Sequence, residues 1–251
     1  MKVTGSIVTY NNSNIIYQCI QSVLEQTQDI DFTLYVVDNG STDKTPEIIK
    51  DHFDGQVRFI QNERNEGFGG GHNRVMNEVQ SDYHVVINPD ITLAENTISR
   101  LCGYMEENPD VLMTTPKILN DDGTEQFLPK YCPSIRYVIV SKIKPFRYLR
   151  RRYTRQEEIF TRPTEVEFCT GCFFVIRTGL LKELGGFDPR YFMYCEDADL
   201  SRRVRLRGKI IFYPMTCATH KWERDNTKSM KGMLRFMTSL FQYFCKWGLK
   251  V

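Results

Sequence analysis

The chain has 251 residues, of which 41% are hydrophobic and 25% are charged, as expected for a globular protein with a packed core. A formal net charge of +2 does not indicate a nucleic-acid partner, and no apolar run is long enough for a membrane-spanning helix. Met1 leads into a strand-like segment without a signal peptide, so the eight cysteines are expected to be reduced thiols of a cytoplasmic protein.

The first third of the chain alternates between short apolar runs and amphipathic segments. This alternation favours βαβ units, a mostly parallel sheet and ligand binding beyond the carboxyl ends of its strands. The predicted strands are residues 3–10, 33–37, 57–60 and 83–87. The first predicted helix is residues 15–24, and the second has Pro46 in its first turn. The third follows the glycines at 67–71 and runs through Val75 and Val79.

The later part of the chain is less regular. Residues 129–163 are basic and aromatic, and no element is predicted there. Basic side chains without an intervening acid occur at Lys142, Lys144, Arg147, Arg150, Arg151, Arg152 and Arg155. Elsewhere the sequence predicts a hairpin tip at 121–123, strands at 173–176 and 209–213, a short helix before Gly185, an amphipathic helix at 196–207, and an apolar, basic segment at 230–247.

Three carboxylates occur within four residues at the start of the predicted helix 196–207, namely Glu196, Asp197 and Asp199. The helix dipole favours acids in a first turn, so an ordinary structural role is one interpretation, and it suits Asp199 best. Like charges this close raise each other's pKa, and the aromatic segment 187–194 before them favours partial desolvation. A carboxylate in such surroundings is suited to act as a general base.

A second acidic turn, Asn88-Pro89-Asp90, follows the predicted strand 83–87. Oxygen ligands from Asp90 and Asn88, together with diphosphate oxygens, suit Mg²⁺ or Mn²⁺. The same three residues also form a common strand-ending turn, and both interpretations stay open. One acidic site that holds a cation and another that takes a proton is the combination that sugar transfer from a nucleotide diphosphate requires.

Polar side chains follow the first two predicted strands and would line one edge of the sheet. Thr9, Tyr10 and Asn11 end the first strand, and Asp38 ends the second. Asp38 could accept from the N3–H of a pyrimidine or from ribose, or it could cap its own turn. The glycine-rich segment 65–73 is neither a P-loop nor a dinucleotide fingerprint, and it suits either a phosphate contact or a flexible loop.

Four residues have the types found in a structural zinc site: Cys169, Cys172, Cys217 and His220. The two pairs are far apart in sequence, and free cysteines are often simply buried, so zinc is the weaker interpretation. His220 is a better candidate for a ligand of a catalytic cation or a hydrogen-bond partner of a diphosphate.

The basic stretch 142–155 and the segment 230–247 could be solvated faces. Lysine and arginine interleaved with large apolar residues also describe an interfacial helix on anionic lipid. For the C-terminal segment, packing on the protein's own core or on a second subunit is an equal alternative.

The ordered set of motifs is similar to a known family. The chain resembles an inverting family 2 glycosyltransferase of the GT-A fold, in the rhamnosyltransferase-like bacterial branch, over roughly residues 3–222. The motifs that carry the resemblance are Val8–Asn11, Val37–Asp43, Asn65–Asn73, Asn88–Asp90, Thr170–Arg177, Gly185–Asp188 and Glu196–Leu200.

The resemblance implies an α/β fold with a Rossmann-like, mostly parallel central sheet flanked by helices, a smaller mixed acceptor-side region and a C-terminal helix. It implies one catalytic domain at 1–222, with a nucleotide-sugar half at 1–115 and an acceptor half at 116–222. Residues 223–251 would form an amphipathic helical tail, which is a candidate for membrane contact or homodimer formation.

The resemblance also implies residue roles. Asp197 would be the catalytic base, with Glu196 the close second choice. Asp90 would be the metal-binding acid of the family's DxD motif, whose first position is Asn88 here, and His220 would assist it. The acceptor would be bordered by Gly171 and Cys172, and the donor by Thr9, Tyr10, Asn11, Asp38, Asn65, Gly67, Asn73 and Asn88.

The implied activity is transfer of one sugar, with inversion, from a nucleotide-diphosphate sugar to a hydroxyl of a glycan or lipid-linked oligosaccharide. dTDP-rhamnose is the first expected donor and a UDP-hexose the second, in cell-surface polysaccharide biosynthesis at the inner face of the plasma membrane. The QxxRW motif of processive relatives is absent, which favours single additions. The alternatives are a nucleotidyltransferase acting on sugar phosphates, a zinc-stabilised scaffold and a peripheral lipid-binding module. The glycine-rich signature of a nucleotidyltransferase is missing at 8–13. A lipid-binding module would leave the acidic cluster unexplained.

Overall fold

The computed structural model describes residues 1–138, 144–146, 148–221 and 230–249. In this part of the chain nine strands form one mixed sheet. The strands are β1 (Lys2–Thr9), β2 (Asp31–Asp38), β3 (Arg58–Gln61), β4 (Tyr83–Ile87), β5 (Ile91–Thr92), β6 (Val111–Leu119), β7 (Thr164–Glu165), β8 (Phe173–Arg177) and β9 (Lys209–His220). The helices are α1 (Ile16–Glu25), α2 (Thr45–Phe53), α3 (Gly67–Asn73), α4 (Thr97–Glu107), α5 (Ile135–Val138), α6 (Tyr148–Tyr153), α7 (Thr178–Glu183), α8 (Glu196–Arg205) and α9 (Met230–Trp247), with a 3₁₀ turn at Lys144–Phe146.

The first four long strands form the parallel half of the sheet, in the order β3-β2-β1-β4. Thr9 at the end of β1 is in register with Asp38 at the end of β2, and Ile7 is in register with Ile87 of β4. The carboxyl ends of these strands therefore meet at one edge, where parallel sheets bind ligands.

The second half of the sheet is mixed. β8 enters antiparallel between β4 and β6, and β6 then pairs in parallel with β9. β5 and β7 both pair antiparallel with β9. The predicted boundary between residues 115 and 116 falls inside β6, so the two predicted halves share one continuous sheet.

Helices cover both faces of the sheet, because alternate residues of a strand point to opposite sides. Ile20 of α1 and Leu101 of α4 belong to the same buried cluster as Ile7 of β1. On the other face, Leu200 of α8 packs in a cluster with Phe174 of β8. The result is the predicted α/β arrangement of a central sheet between helical layers.

Several elements differ from the sequence prediction. α4 and β6 were not predicted, although Ile98, Leu101 and Met105 have helical spacing and are fully buried. β9 continues to His220 instead of ending at residue 213. The glycines at 67–71 lie inside α3, and the helix predicted through Val75 and Val79 is wrong, because α3 ends at Asn73 and residues 74–78 form turns. Short helices occupy part of the stretch that was left unassigned, and of its basic residues Lys142 and Arg147 lie outside the described part of the chain.

The C-terminal helix α9 packs one face on the protein's own core. Leu240 and Tyr243 are buried in a cluster with Phe168, Tyr191 and Ala198. The opposite face carries large apolar side chains that are exposed, and we call it the exposed stripe: Met230, Met233, Leu234, Met237 and Phe241. In the described residues no helix is both long and apolar enough to cross a bilayer.

Candidate active site

The edge of the sheet where β1 and β2 end contains a buried carboxylate with an unused acceptor atom. Asp38 is fully buried, and its Oδ2 accepts from the backbone N–H of Ser41 at 3.1 Å and from Gln61 Nε2 at 3.5 Å. Its Oδ1 has no hydrogen-bond partner among the described residues. Buried acceptors are rarely left unpaired, so Oδ1 is suited to receive an N–H or O–H from a ligand.

The turn after β1 is connected to the turn after β2. Asn11 has a φ of 55°, in the left-handed region. Its N–H donates to Ser41 Oγ at 2.8 Å, and its Oδ1 accepts from the Thr42 N–H at 2.8 Å. Thr9 is buried and donates to Asn12 Oδ1 at 3.0 Å. Of the predicted residues on this edge, Tyr10 and Asn11 are exposed, whereas Thr9 and Asp38 are buried.

The start of α3 lies against the loop that leads to the acidic cluster. Gly67 has a φ of +79°, and a Cβ there would lie 2.0 Å from the Phe192 carbonyl oxygen. The Phe68 N–H donates to that same oxygen at 3.0 Å. Asn39 Nδ2 donates to the Gly67 carbonyl at 2.9 Å, and Asn65 Oδ1 accepts from the Gly67 N–H at 2.9 Å. This contact links the turn after β2 to the loop that precedes the acidic cluster.

Asn73, at the end of α3, makes two hydrogen bonds to the backbone of Phe187. Its Nδ2 donates to the Phe187 carbonyl at 2.8 Å, and its Oδ1 accepts from the Phe187 N–H at 2.9 Å. Both polar atoms of the side chain are therefore engaged in holding a turn. The assignment of Asn73 to the diphosphate stays a prediction.

The second acidic turn and the end of β9 bring together a carboxylate and an imidazole. Asp90 Oδ1 lies 3.1 Å from His220 Nε2 but makes no hydrogen bond of good geometry with any described residue. Asn88 Nδ2 lies 3.5 Å from the same nitrogen, and His220 Nδ1 lies 3.0 Å from Gln126 Oε1. A buried oxygen without a donor, beside an imidazole and an amide, fits a divalent cation whose other ligands are diphosphate oxygens.

The alternative zinc quartet is not formed. In the described residues no three Cys, His, Asp or Glu side chains are grouped as metal ligands. Cys217 Sγ lies 3.7 Å from Glu95 Oε1, whereas His220 faces Asp90.

Glu196 and Asp197 start α8 and differ in their hydrogen bonds. Asp197 accepts from the Gly171 N–H at 3.0 Å and from the Ala198 N–H at 2.8 Å. Glu196 is 6% exposed, and its Oε2 has no partner in the described part of the chain. Burial, and then the charge of Asp197, raise the pKa of Glu196 well above its usual value. Burial also raises the pKa of Asp197, although the two N–H donors and Lys130 oppose the shift.

The backbone just before these acids is strained. Tyr194 and Cys195 have φ values of 72° and 67°, so two consecutive residues with side chains are in the left-handed region. Each costs about 1–3 kcal/mol, which surrounding contacts must supply. Such strain is typical of functional loops.

Asp199 is not an ordinary first-turn acid, and the sequence interpretation was wrong on this point. It is completely buried and accepts from Arg203 Nε at 2.7 Å, Lys246 Nζ at 2.7 Å and Trp247 Nε1 at 2.8 Å. The reason is tertiary, because the partners on α9 are nearly fifty residues away in sequence.

A cavity of about 860 Å³ opens beside the acidic pair. Glu196 and Asp197 line it, together with Lys130, Arg150 of α6 and Tyr153. Its other lining residues, mostly aromatic or apolar, are Pro133, Tyr137, Val138, Phe168, Tyr194, Cys195, Ala198, Phe236 and Leu240. A cavity of this size accommodates a small ligand or part of a glycan.

The sequence interpretation missed three residues at this site. Lys130 lies in a stretch without recognisable periodicity, and Lys246 lies in the C-terminal segment, whose contacts could not be inferred. Asn39 follows Asp38 directly, and its position in the same turn was the one available signal. Of the predicted acceptor-side residues, Gly171 holds Asp197, and the carbonyl of Cys172 accepts from the Asn88 N–H at 2.8 Å.

The sequence profile of a family described as Glycosyl transferase family 2 matches residues 6–185. The chain belongs to glycosyl transferase family 2. It is 29% identical over 196 residues to the N-acetylglucosaminyl-diphospho-decaprenol L-rhamnosyltransferase of Mycobacterium tuberculosis, covering 72% of this chain and 63% of that protein. It is 28% identical over 195 residues to the rhamnosyltransferase WbbL of Escherichia coli K12, covering 72% and 70% of the two chains. The family 2 chain thus spans less than two thirds of the mycobacterial relative.

Solved structures similar to this family 2 chain are GT-A glycosyltransferases, and the predicted GT-A fold is confirmed. The mannosyltransferase PcManGT of Pyrobaculum calidifontis, in complex with GDP-Man and Mn²⁺, has a TM-score of 0.66 at 18% identity and covers 98% of this chain and 64% of its own. TarS residues 1–349 of S. aureus has a TM-score of 0.63 at 17% identity, covering 88% and 60%.

Proposed function

We propose that this chain transfers a single sugar from a nucleotide-diphosphate sugar to an acceptor hydroxyl with inversion of the anomeric centre. The observation that carries the proposal is the Asp197 carboxylate, which is held by the Gly171 N–H and lines the 860 Å³ cavity. The contact between Gly67 and Phe192 joins the proposed donor-binding edge of the sheet to the loop that leads to Asp197.

Asp197 takes the proton from the acceptor hydroxyl, and the acceptor oxygen attacks the anomeric carbon. The bond from that carbon to the diphosphate breaks as the new bond forms, and one such displacement inverts the centre. The raised pKa of Asp197, caused by burial, suits a general base. Glu196 is the second candidate and sits beside it without a hydrogen-bond donor among the described residues.

Asp90 and His220 would hold a divalent cation, Mg²⁺ or Mn²⁺. A bound cation supplies positive charge to the departing diphosphate. Two neighbours in the comparison, PcManGT and GalNAc-T7, carry Mn²⁺ in their crystal structures, which supports this choice of metal class.

The preferred donor is dTDP-rhamnose, and a UDP-hexose is the second choice. Both carry a pyrimidine with an N3–H group, which suits the unpaired Oδ1 of Asp38. The names of the mycobacterial relative and of WbbL support rhamnose.

The proposed acceptor is a glycan or a lipid-linked oligosaccharide used in cell-surface polysaccharide assembly. Lys130 and Arg150 in the cavity suit an anionic group on such an acceptor, and the mycobacterial relative is named for a diphospho-decaprenol acceptor. The cavity is lined by Phe236 and Leu240 of α9 and by Arg150 and Tyr153 of the basic helix α6, whereas the exposed stripe lies on the outer face of α9. We also propose that the stripe and α6 make peripheral contact with an anionic membrane at the cytoplasmic face. Equal sedimentation of Leu234→Ser/Phe241→Ser and wild-type protein with phosphatidylglycerol vesicles would contradict that contact, and dimers lost in that variant would favour a second subunit as the occupant.

The function is tested by a panel of nucleotide sugars with Mn²⁺, Mg²⁺ or a chelator. We expect one pyrimidine donor to be consumed, and activity to be lost with the chelator and restored by the metal.

Asp197→Asn should lower kcat by ~10³-fold while donor binding stays unchanged, since the base is lost and the nucleotide contacts remain. Asp51→Asn on the exposed side of α2 is the matched control. Near-normal turnover by Asp197→Asn would show that Asp197 is not the catalytic base. Release of pyrophosphate from a nucleoside triphosphate would instead favour a nucleotidyltransferase.

A further inference from the structure

The end of α9 makes polar contacts that the proposed function does not use. Lys246 Nζ lies 2.7 Å from Asp188 Oδ2 and 2.7 Å from Asp199 Oδ1. Trp247 Nε1 donates to Asp199 Oδ1 at 2.8 Å. One lysine therefore bridges two carboxylates that are both far from it in sequence.

The two carboxylates bracket the segment that carries the catalytic acids. Asp188 precedes this segment and Asp199 follows it, with Glu196 and Asp197 between them. Burial pushes the pKa of Asp188 upward, but hydrogen bonds from Lys246 and Arg190 outweigh it and bring the pKa down to about 2. Asp188 is therefore an anion at neutral pH, and its attraction to the lysine is present under working conditions.

The contacts of Arg203 extend this arrangement on the α8 side. Its Nε bonds Asp199 at 2.7 Å, and its two terminal nitrogens donate to the carbonyls of Leu184 and Gly186, each at 2.9 Å. Asp199 thus joins α8, the turn before Asp188 and the end of α9 at one buried point.

α9 also contacts the middle of the segment. Ser239 Oγ donates to the Met193 carbonyl at 2.8 Å, and the Phe236 ring lies 5.6 Å from the Tyr194 ring in edge-on geometry. These contacts fall next to Tyr194 and Cys195, the two strained residues. Strained backbone persists only where its surroundings hold it, and α9 supplies much of that surrounding.

We propose that Lys246 and Trp247 are positioning residues, which set the placement of Asp197 through Asp199. The inference rests on the proposed function of Asp197. Two residues along a helix correspond to about 200° of rotation, so Asp199 is held on the side of α8 opposite to Asp197. Fixing the back of α8 fixes the direction and depth of the base, and a displacement of about 1 Å in a catalytic group can cost ~10²-fold in rate.

Trp247→Phe is the primary test, because it removes the indole N–H donor and keeps an aromatic ring beside Arg202, which lies 4.4 Å from the indole ring. Lys246→Gln removes the bridging charge, and Lys246→Arg keeps it. We expect kcat to fall about tenfold in Trp247→Phe and ~10²-fold in Lys246→Gln, with the donor KM within twofold of wild type. Lys246→Arg should recover most of the loss.

Two controls separate positioning from general stability. Val23→Ala destabilises the buried face of α1, far from the segment, and should leave the kcat of the folded protein unchanged. Lys209→Met removes the exposed ion pair with Asp110, which is 2.6 Å long, and should change neither kcat nor KM. If Val23→Ala loses as much kcat as Trp247→Phe, the loss follows from general destabilisation of the fold and the proposal is overturned.

Backbone amide exchange of residues 191–198 tests the proposal without any activity measurement. Faster exchange there in Trp247→Phe and Lys246→Gln, with unchanged exchange in β1 and β2, is the expected result. Unchanged exchange, or wild-type kcat in both variants, would overturn the positioning role. If wild-type protein consumes no nucleotide sugar, the proposed function fails, whereas the exchange measurement still decides whether α9 holds the segment.

Discussion

At the level of single residues, Glu196 is the group in the site whose ionisation most opposes folding. It is almost completely buried, carries an oxygen without a donor among the described residues, and lies next to another carboxylate. Burial and the charge of Asp197 raise its pKa, so deprotonation in the folded state is unfavourable. A carboxyl group of this kind lowers the stability of the folded protein when it ionises.

The sign of this effect gives a testable prediction. The folded pKa of Glu196 is raised above its unfolded value of about 4.3, so above that pH the unfolded state loses the proton more readily. Stability from this group is therefore lost as the pH rises from the unfolded pKa toward the folded pKa. Glu196→Gln should be more stable than wild type at pH 8, and the difference should shrink at pH 5.

Urea unfolding at the two pH values measures the prediction for Glu196. Glu107→Gln, at the exposed end of α4, is the control and should track wild type at both. A Glu196→Gln protein that is less stable than wild type at pH 8 would show that the carboxylate has a stabilising partner.

The sequence identified Glu196, Asp197, Asp90 and Asp38 as candidates because charged groups at strand ends and helix starts follow simple local rules. It misassigned Asp199 for the same reason. A first-turn acid is locally ordinary, and only the arrival of α9 makes it a buried anchor. Roles that depend on distant partners are not encoded in local spacing.

Among the elements, α3 is the one whose position most directly connects the two sides of the site. It begins at Gly67, against the Phe192 carbonyl, and ends at Asn73, which holds the Phe187 backbone. A short helix rich in glycine can approach other backbone this closely because no side chain intervenes.

Gly67→Ala should therefore disrupt both stability and activity. A Cβ would lie 2.0 Å from the Phe192 oxygen, and the φ of +79° is unfavourable for any residue with a side chain. We expect a loss of about 2 kcal/mol or more in the free energy of unfolding, since the left-handed conformation alone costs about 1–3 kcal/mol.

Gly103→Ala in α4 is the matched control for Gly67→Ala, because its Cβ would meet nothing within 4 Å. It should raise stability by about 0.5–1 kcal/mol through helix propensity. Thermal unfolding and kcat of both variants check the pair, and a Gly67→Ala protein with wild-type kcat would show that the Phe192 contact is unimportant.

In the parallel half, β1, β2 and β4 were predicted well because they contain continuous buried runs, and α1 was predicted well because it has one apolar face. β6 and the second part of β9 were missed because both are interrupted, by Pro116 and Pro214, and paired irregularly, with a register shift between Pro116 and Lys117. Such strands are stabilised by their neighbours more than by their own pattern.

Across the whole molecule, a buried polar chain runs through the sheet beneath α3. Ser6 Oγ lies 2.7 Å from His72 Nδ1 and 2.8 Å from His84 Nε2, and Thr4 Oγ1 lies 2.9 Å from His84 Nδ1. Burial lowers the pKa of His84 to about 3 and lowers that of His72 well below its usual value, with the charge of His84 adding to the effect. Both imidazoles are therefore neutral in the folded protein at neutral pH.

These two buried, neutral histidines make the stability of the fold sensitive to acid over a defined pH range. In the unfolded state a histidine becomes protonated below about pH 6.5, whereas His84 in the folded state stays neutral down to about pH 3. Unfolding is therefore favoured as the pH falls. The slope from each histidine is small near pH 7, because the unfolded state is then mostly deprotonated, and it approaches about 1 kcal/mol per pH unit at pH 5. Urea unfolding between pH 7 and 5 should show this slope, reduced in His84→Gln and unchanged in His52→Gln, whose side chain is exposed on α2. An equal slope in His84→Gln would assign the acid sensitivity to other groups.

The overall fold class followed from the sequence because strand and helix alternation is a local property, whereas the strand order did not. The insertion of β8 between β4 and β6 depends on contacts between segments far apart in the chain.

That strand order limits how relatives of this protein can exchange parts. β8 lies between β4 and β6, and β9 completes β6, so a cut near the middle of the chain would leave both fragments with unpaired strand edges in the core of the sheet. Recombination that joins the front of one relative to the back of another would have to match β4, β6 and β9 at once. If the cavity binds the acceptor, as proposed, its preference is more accessible through substitutions at Lys130, Tyr137, Arg150, Tyr153 and Phe236, which line the cavity and lie outside the central sheet.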